Sequence, residues 1–75
     1  MVEIAPGITA DPNVRFGRAV IRGTRVPVDV IVARVAAGMT VKAVAEEYGI
    51  TEKDVYNVLN YAALRLAEEQ VWVTA

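Results

Sequence analysis

The rhythm of apolar positions changes about a third of the way along the chain, at Pro27. Residues 1–27 hold all three prolines (Pro6, Pro12, Pro27), three of the five glycines and many β-branched residues, a texture that predicts short strands joined by turns. Asp11-Pro12-Asn13 reads as a turn, because proline presets φ and the flanking Asp and Asn can bond nearby backbone. Arg18-Ala19-Val20-Ile21 and Thr24-Arg25-Val26 flank Arg22-Gly23, which predicts a hairpin or sharp bend at Gly23. Pro27 then confines the second strand to an edge, since it has no N–H to donate to a ladder.

Residues 28–70 carry helical spacing instead. A first helix is expected from about Asp29 to Ala37, with Asp29 favouring the dipole at its start and Gly38 supplying a left-handed stop. Thr40 caps a second, shorter helix through Tyr48, and Gly49 ends it. Thr51 caps a third, and Thr51-Glu52-Lys53-Asp54 approximates a capping box with Asp in the place usually held by Glu or Gln. Val55, Val58, Leu59, Ala62 and Leu66 recur at helical spacing, so one stripe of this long helix is expected to face the core. Tyr56, Asn57, Asn60 and Arg65 fall on other faces. Past Gln70, Val71-Trp72-Val73 suits either a continued helix or a strand.

These elements predict a mainly α fold in one domain over residues 1–75. A strand and turn arm occupies 1–27, a three-helix helix-turn-helix unit 28–70, and a tail 71–75. Ala45 is small where two helices would cross, and Gly49, four residues on, sits where the turn needs a positive φ. Val44, Tyr48, Ile50, Val55 and Val58 occupy the positions that must point inward. An ordinary helical corner with a Gly-terminated turn is the alternative.

Size changes the picture. The chain has 75 residues, of which 55% are hydrophobic, with 14 Val and 12 Ala. Folding buries only about 60% of the surface of so short a chain, so a monomeric core is marginal without a staple. With no Cys and no His, disulfides, zinc-finger ligation and thiol or imidazole catalysis are excluded. The remaining staple is another chain, and a homodimer or higher homo-oligomer is expected, a well-idealised monomeric bundle being the alternative. Ser is absent too, and the acids form adjacent pairs (Glu46-Glu47, Glu68-Glu69) that diverge around a helix, so no enzymatic activity and no cofactor are expected. No apolar run approaches the length of a membrane span and the N-terminus lacks a basic region, which together predict a cytoplasmic protein.

Charge is nearly balanced in total but not along the chain. Eight Lys and Arg stand against nine Asp and Glu, a net charge of −1 that argues against binding nucleic acid through bulk charge. Yet Arg15, Arg18, Arg22 and Arg25 make residues 15–25 locally +4, whereas residues 41–60 carry −2. If the third helix contacts DNA, Thr51, Lys53, Tyr56, Asn57 and Asn60 are the candidate readers, with Arg18, Arg22, Thr24 and Arg25 supplying phosphate contacts. The acids near the start of the helix oppose that role, and a structural or protein-binding unit is the alternative. The arginines could equally pair with Glu46, Glu47, Glu68 or Glu69, within the fold or across a dimer. Leu64, Leu66, Val71 and Trp72 are the candidate apolar anchors for a partner, although Trp72 could also pack on its own domain or on a dimer mate.

The run Asp11-Pro12-Asn13-Val14, then Val20-Ile21-Arg22-Gly23-Thr24-Arg25-Val26-Pro27-Val28, then Ala36-Ala37-Gly38-Met39-Thr40 resembles the domain of unknown function family 433 over roughly residues 8–66. Phe16 stands where that family tends to have glycine, and Ala19 where it often has proline. The resemblance implies a strand-bearing helix-turn-helix fold and a role like that of VapB-type antitoxins. It implies two jobs, neutralising a PIN-like ribonuclease toxin and repressing an operon by contacting operator DNA. Arg22, Gly23, Thr24, Arg25 and Pro27 match the family's characteristic string, with Gly23 for backbone freedom and Pro27 to end the strand.

Overall fold

The computed structural model describes residues 1–69 and Val73. Three short strands, β1 (Val2–Ala5), β2 (Ile8–Ala10) and β3 (Val20–Ile21), precede three helices, α1 (Val28–Ala36), α2 (Val41–Tyr48) and α3 (Glu52–Glu68). The strands form one antiparallel sheet with β2 in the centre. Pro6 and Gly7 make the turn between β1 and β2, with proline fixing its own φ and Gly7 taking a φ of 77°. A register shift between Glu3 and Ala5 bends β1. On the other side Ile8 pairs with Ile21 and Thr9 with Val20.

The sharp bend at Gly23 is present, and the arms on either side of it meet in a single antiparallel bridge rather than an extended ladder. Thr24 N–H donates to Ile21 O at 3.0 Å, and Ile21 N–H donates to Val26 O at 3.0 Å. Beyond these, only an isolated bridge joins Val20 to Pro27. Pro27 brings no donor and serves as the N-cap of α1, so the pairing ends one residue on, with Val28 N–H bonded to Ala19 O. The lasting partner of β3 is therefore β2, far earlier in sequence.

The helices follow their caps. α1 begins and ends one residue earlier than expected, with Val28 N–H tied to Ala19 O at 3.1 Å. At its other end Gly38, at φ 101°, donates to Val35 O, and Met39 donates to Arg34 O, the paired closure of a Schellman motif. The Thr40 hydroxyl accepts from Ala43 N–H at 3.1 Å to start α2. Gly49, left-handed at φ 65°, ends it. Thr51 and Asp54 form a reciprocal capping box at the start of α3, each bond 3.0 Å.

The core lies between the sheet and the three helices. Ile8, Ile21, Ile31, Val44, Val55 and Val58 are all less than 2% exposed, and each such aliphatic side chain contributes about 1.5–3 kcal/mol on burial. Tyr48 and Ile50, expected inward, are half-buried against that core. The stripe on α3 is shorter than its spacing suggests. Val55 and Val58 are buried, Leu59 and Ala62 half-buried, and every described residue from Ala63 onward is exposed, Leu66 at 66%. Length is the reason. A 17-residue helix runs about 25 Å, whereas the nine residues of α1 reach only about 13 Å, so its last turns run on beyond the close packing and face α1 only across an open groove. Val71 and Trp72 lie outside the described residues, and Val73 is exposed. Among the described residues no helix is long and apolar enough to cross a membrane.

Between β2 and β3 the backbone takes three left-handed residues in succession, Arg15 (φ 52°), Phe16 (φ 57°) and Gly17 (φ 82°). Glycine adopts this conformation freely, while other L-residues pay roughly 1–2 kcal/mol each. The glycine that the resembling family tends to place at position 16 is the residue this backbone favours.

Candidate functional site

Two surfaces carry the exposed chemistry. The first is built on α2, the Gly49 turn and α3. Ala45 is buried between the helices, and Ile50 N–H donates to Ala45 O at 3.0 Å, closing the turn. This leaves Lys53, Tyr56 and Asn60 exposed along the first half of α3. Thr51 is exposed too, with its hydroxyl engaged as the α3 cap. Asn57 is half-buried against the β1–β2 turn, where a Cβ on Gly7 would stand 2.6 Å from its Nδ2.

That same turn holds the arginine loop in place. Arg22 N–H donates to Gly7 O at 2.9 Å, so the Pro6-Gly7 turn sits between Asn57 on one side and the Arg22-Gly23 bend on the other. The basic bend is thereby tied to α3 through the Pro6-Gly7 turn. Thr24 is turned inward, donating its hydroxyl proton to Ile21 O at 2.7 Å and accepting from Val26 N–H at 3.0 Å. The site residues thus divide: Thr24, Thr51 and Asn57 have structural partners, and Arg22, Arg25, Lys53, Tyr56 and Asn60 present their side chains to solvent.

The arginines pair with different acids from those expected. Arg18 bonds Asp29 at the start of α1, and Arg22 lies 3.4 Å from Glu3 on β1. Glu68 pairs within its own helix with Arg65 at 3.3 Å. The sheet explains the choice, because β1 and the start of α1 lie next to the arm, whereas Glu46, Glu47, Glu68 and Glu69 sit on helices beyond it. Arg15 and Arg25 make no ion pair among the described residues. Such exposed pairs are weak and open readily to a stronger anion.

Tyrosines hold two other arginines. Arg34 Nε–H donates to the Tyr48 hydroxyl at 2.9 Å, tying α1 to α2, and this bond, helped by the charge of Glu47, raises the guanidinium pKa further. Arg65 Nε–H donates to Tyr61 at 3.2 Å with its guanidinium 5.3 Å from the ring centroid, and that bond raises its pKa likewise, with Glu68 adding to it.

The second surface is a groove of about 490 Å³ between α1 and the second half of α3. Val28, Val32, Ala33, Ala62 and Leu66 make its walls, with Arg18, Asp29 and Arg65 around the rim. Leu64, half exposed, is not part of this lining and occupies a flank of α3. The hairpin at Gly7 and this groove are the two features the residue pattern did not bring forward, although the Pro6-Gly7 pair is a turn signal in its own right.

A three-stranded antiparallel sheet packed on three helices, with a basic bend tied to the third, defines the class as a small, mainly helical α+β domain. The family model described as a protein of unknown function (DUF433) matches residues 8–62, and the chain belongs to that family. It is also similar to the crystal structure of Rv2018 from Mycobacterium tuberculosis, at 33% identity and a TM-score of 0.64, over 69% of this chain and 24% of that one. The chain therefore spans about a quarter of the length of that protein. No curated protein matches.

Proposed function

We propose that the chain is an antitoxin-like protein of a type II toxin–antitoxin pair, cytoplasmic and homodimeric, which binds a PIN-like ribonuclease and operator DNA through separate surfaces. The observation that carries this reading is the projecting end of α3. Leu64 is 50% exposed and Leu66 66% exposed on turns that nothing in the described chain covers. Apolar side chains on an uncovered helix end suit docking into a partner's groove. In this reading α2, the Gly49 turn and α3 act as a helix-turn-helix unit, with Lys53, Tyr56 and Asn60 toward a groove of DNA and Arg22 and Arg25 toward phosphate.

Co-expression with a PIN-like ribonuclease encoded beside the gene tests this. A stable complex is expected, lost on Leu64→Asp without a change in the melting of the free protein. Failure to co-purify, with growth unaffected by the neighbouring gene alone, overturns it. A second reading, a stand-alone DNA-binding regulator, is favoured by the clamp at Gly7 that ties the Arg22 bend to α3. It expects promoter binding with no protein partner. A homo-oligomeric interaction module, favoured by Glu52 and Asp54 in the first turn of α3, expects no effect of added DNA.

A further inference from the structure

Phe16 and the α1–α3 groove are opposite features that lie close together along the chain. Phe16 is 98% exposed, on a backbone at φ 57° and ψ 35°. A large aromatic ring held wholly in water on a left-handed residue is unfavourable on both counts. The groove is the converse, a hollow of about 490 Å³ with aliphatic walls. Its volume falls within the range of sites that enclose small apolar groups. The two adjoin along the chain, because Arg18 and Ala19, two and three residues past Phe16, form part of the groove's lining. Phe16 does not fill the groove of its own chain, since its ring is exposed.

We propose that each feature completes the other between two copies of this chain: Phe16 of each copy enters the α1–α3 groove of its mate, about a two-fold axis passing near Arg18. A two-fold interface uses one self-complementary patch on both copies, so the proposal requires projection and hollow to share a face, which the short step from Phe16 to Arg18 allows. Charge does not drive the contact: Asp29 on the groove's rim is already bonded to Arg18, and Arg65 stands on the same rim, so the ring and the aliphatic walls carry the association.

Area sets the expected strength. Two inserted rings bury about 300–500 Å², against the roughly 1,200–2,000 Å² of a stable interface. The walls of the groove and exposed Leu66 must supply the remainder, so the dimer dissociates on dilution. This surface shares Leu66 with the helix end proposed for the ribonuclease and leaves Leu64 to the ribonuclease alone. Leu64 points roughly 130° around α3 from the centre of the face formed by Tyr61, Ala62, Arg65 and Leu66, counting 3.6 residues per turn.

Sedimentation equilibrium over a concentration series tests the arrangement. The wild-type chain is expected to dimerise. Phe16→Gly should weaken association by about a hundredfold, the loss of two anchors. It places glycine on a left-handed residue, so the variant is expected to melt no lower than the wild-type monomer. Ala33→Glu, at an exposed position on the groove wall, should also dissociate the dimer. Mixing the two variants restores one intact insertion, with the ring from one chain and the groove from the other. The mixture should therefore associate more tightly than either variant alone. A monomeric wild type, a Phe16→Gly dimer of unchanged affinity, or a mixture no tighter than its components overturns the proposal. So does a Phe16→Gly chain that still dimerises but loses DNA binding, which would assign the ring to nucleic acid.

Discussion

The side-chain amide of Asn57 covers Gly7 so closely that a methyl group on the glycine would force the amide to move aside. A Cβ there would stand 2.6 Å from Asn57 Nδ2 and 3.2 Å from its Cγ, on a backbone already at φ 77°. One glycine thus locks the β1–β2 turn onto α3, and through the bond from Arg22 N–H it also locks the basic bend.

Gly7→Ala is therefore expected to cost about 2 kcal/mol, part from the left-handed φ and part from the contact. The two parts separate in a double-variant cycle, because Asn57→Ala removes the contact and leaves the φ. In that background the cost of Gly7→Ala should fall to about 1 kcal/mol. Urea unfolding of the four proteins measures this, and equal costs in both backgrounds would show that the contact carries no energy.

The capping box gives a second expectation. Thr51 accepts from Asp54 N–H, and Asp54 accepts from Thr51 N–H. Thr51→Ala should destabilise the fold by about 1 kcal/mol, a fall in Tm of roughly 4–8 °C for a chain of this size. Thr51→Ser should melt close to the wild type, since it keeps the accepting hydroxyl. A melt of Thr51→Ala at the wild-type temperature would contradict the assignment.

The basic bend gives a third, conditional on DNA contact. Arg22 is held only by an exposed pair with Glu3, and Arg25 makes no ion pair among the described residues, so both are available to phosphate. Replacing either by Ala should flatten the plot of log affinity against log salt by about one unit per lost contact. Replacing Thr24, whose hydroxyl bonds Ile21 O and Val26 N–H, should lower stability and leave that slope unchanged. An unchanged slope for both arginine variants would remove the bend from the interface.

The helices were legible because their ends are written in single residues. Thr40, Gly49, Thr51 and Asp54 each act at the position where they stand, through bonds to backbone three or four residues away. The sheet was less legible. Val2 is 63% exposed and Ile4 37%, so β1 has no buried face to leave an alternating signature. The pairing of Ile8 with Ile21 also spans a separation at which local pattern is silent. Leu66 misled for a related reason: spacing says which side of a helix a residue is on, not whether anything stands opposite. Among the candidate site residues, the exposed arginines could be picked out by charge alone. The inward turn of Thr24 and the packing of Asn57 depend on neighbours distant in sequence, and no local pattern carries them.

The overhang of α3 also bears on how long the molecule lasts. Its final turns keep their backbone bonds but shelter no apolar surface, so they open at little cost and present an unfolded end before the rest of the domain loosens. Proteolysis tracks the population of such open forms. A partner seated on Leu64 would lower that population in proportion to its occupancy. For a chain that acts by being bound, saturation and survival then become one quantity. Under the proposed function, free protein would be cleared first, and its supply would have to be renewed for as long as the partner is to be held.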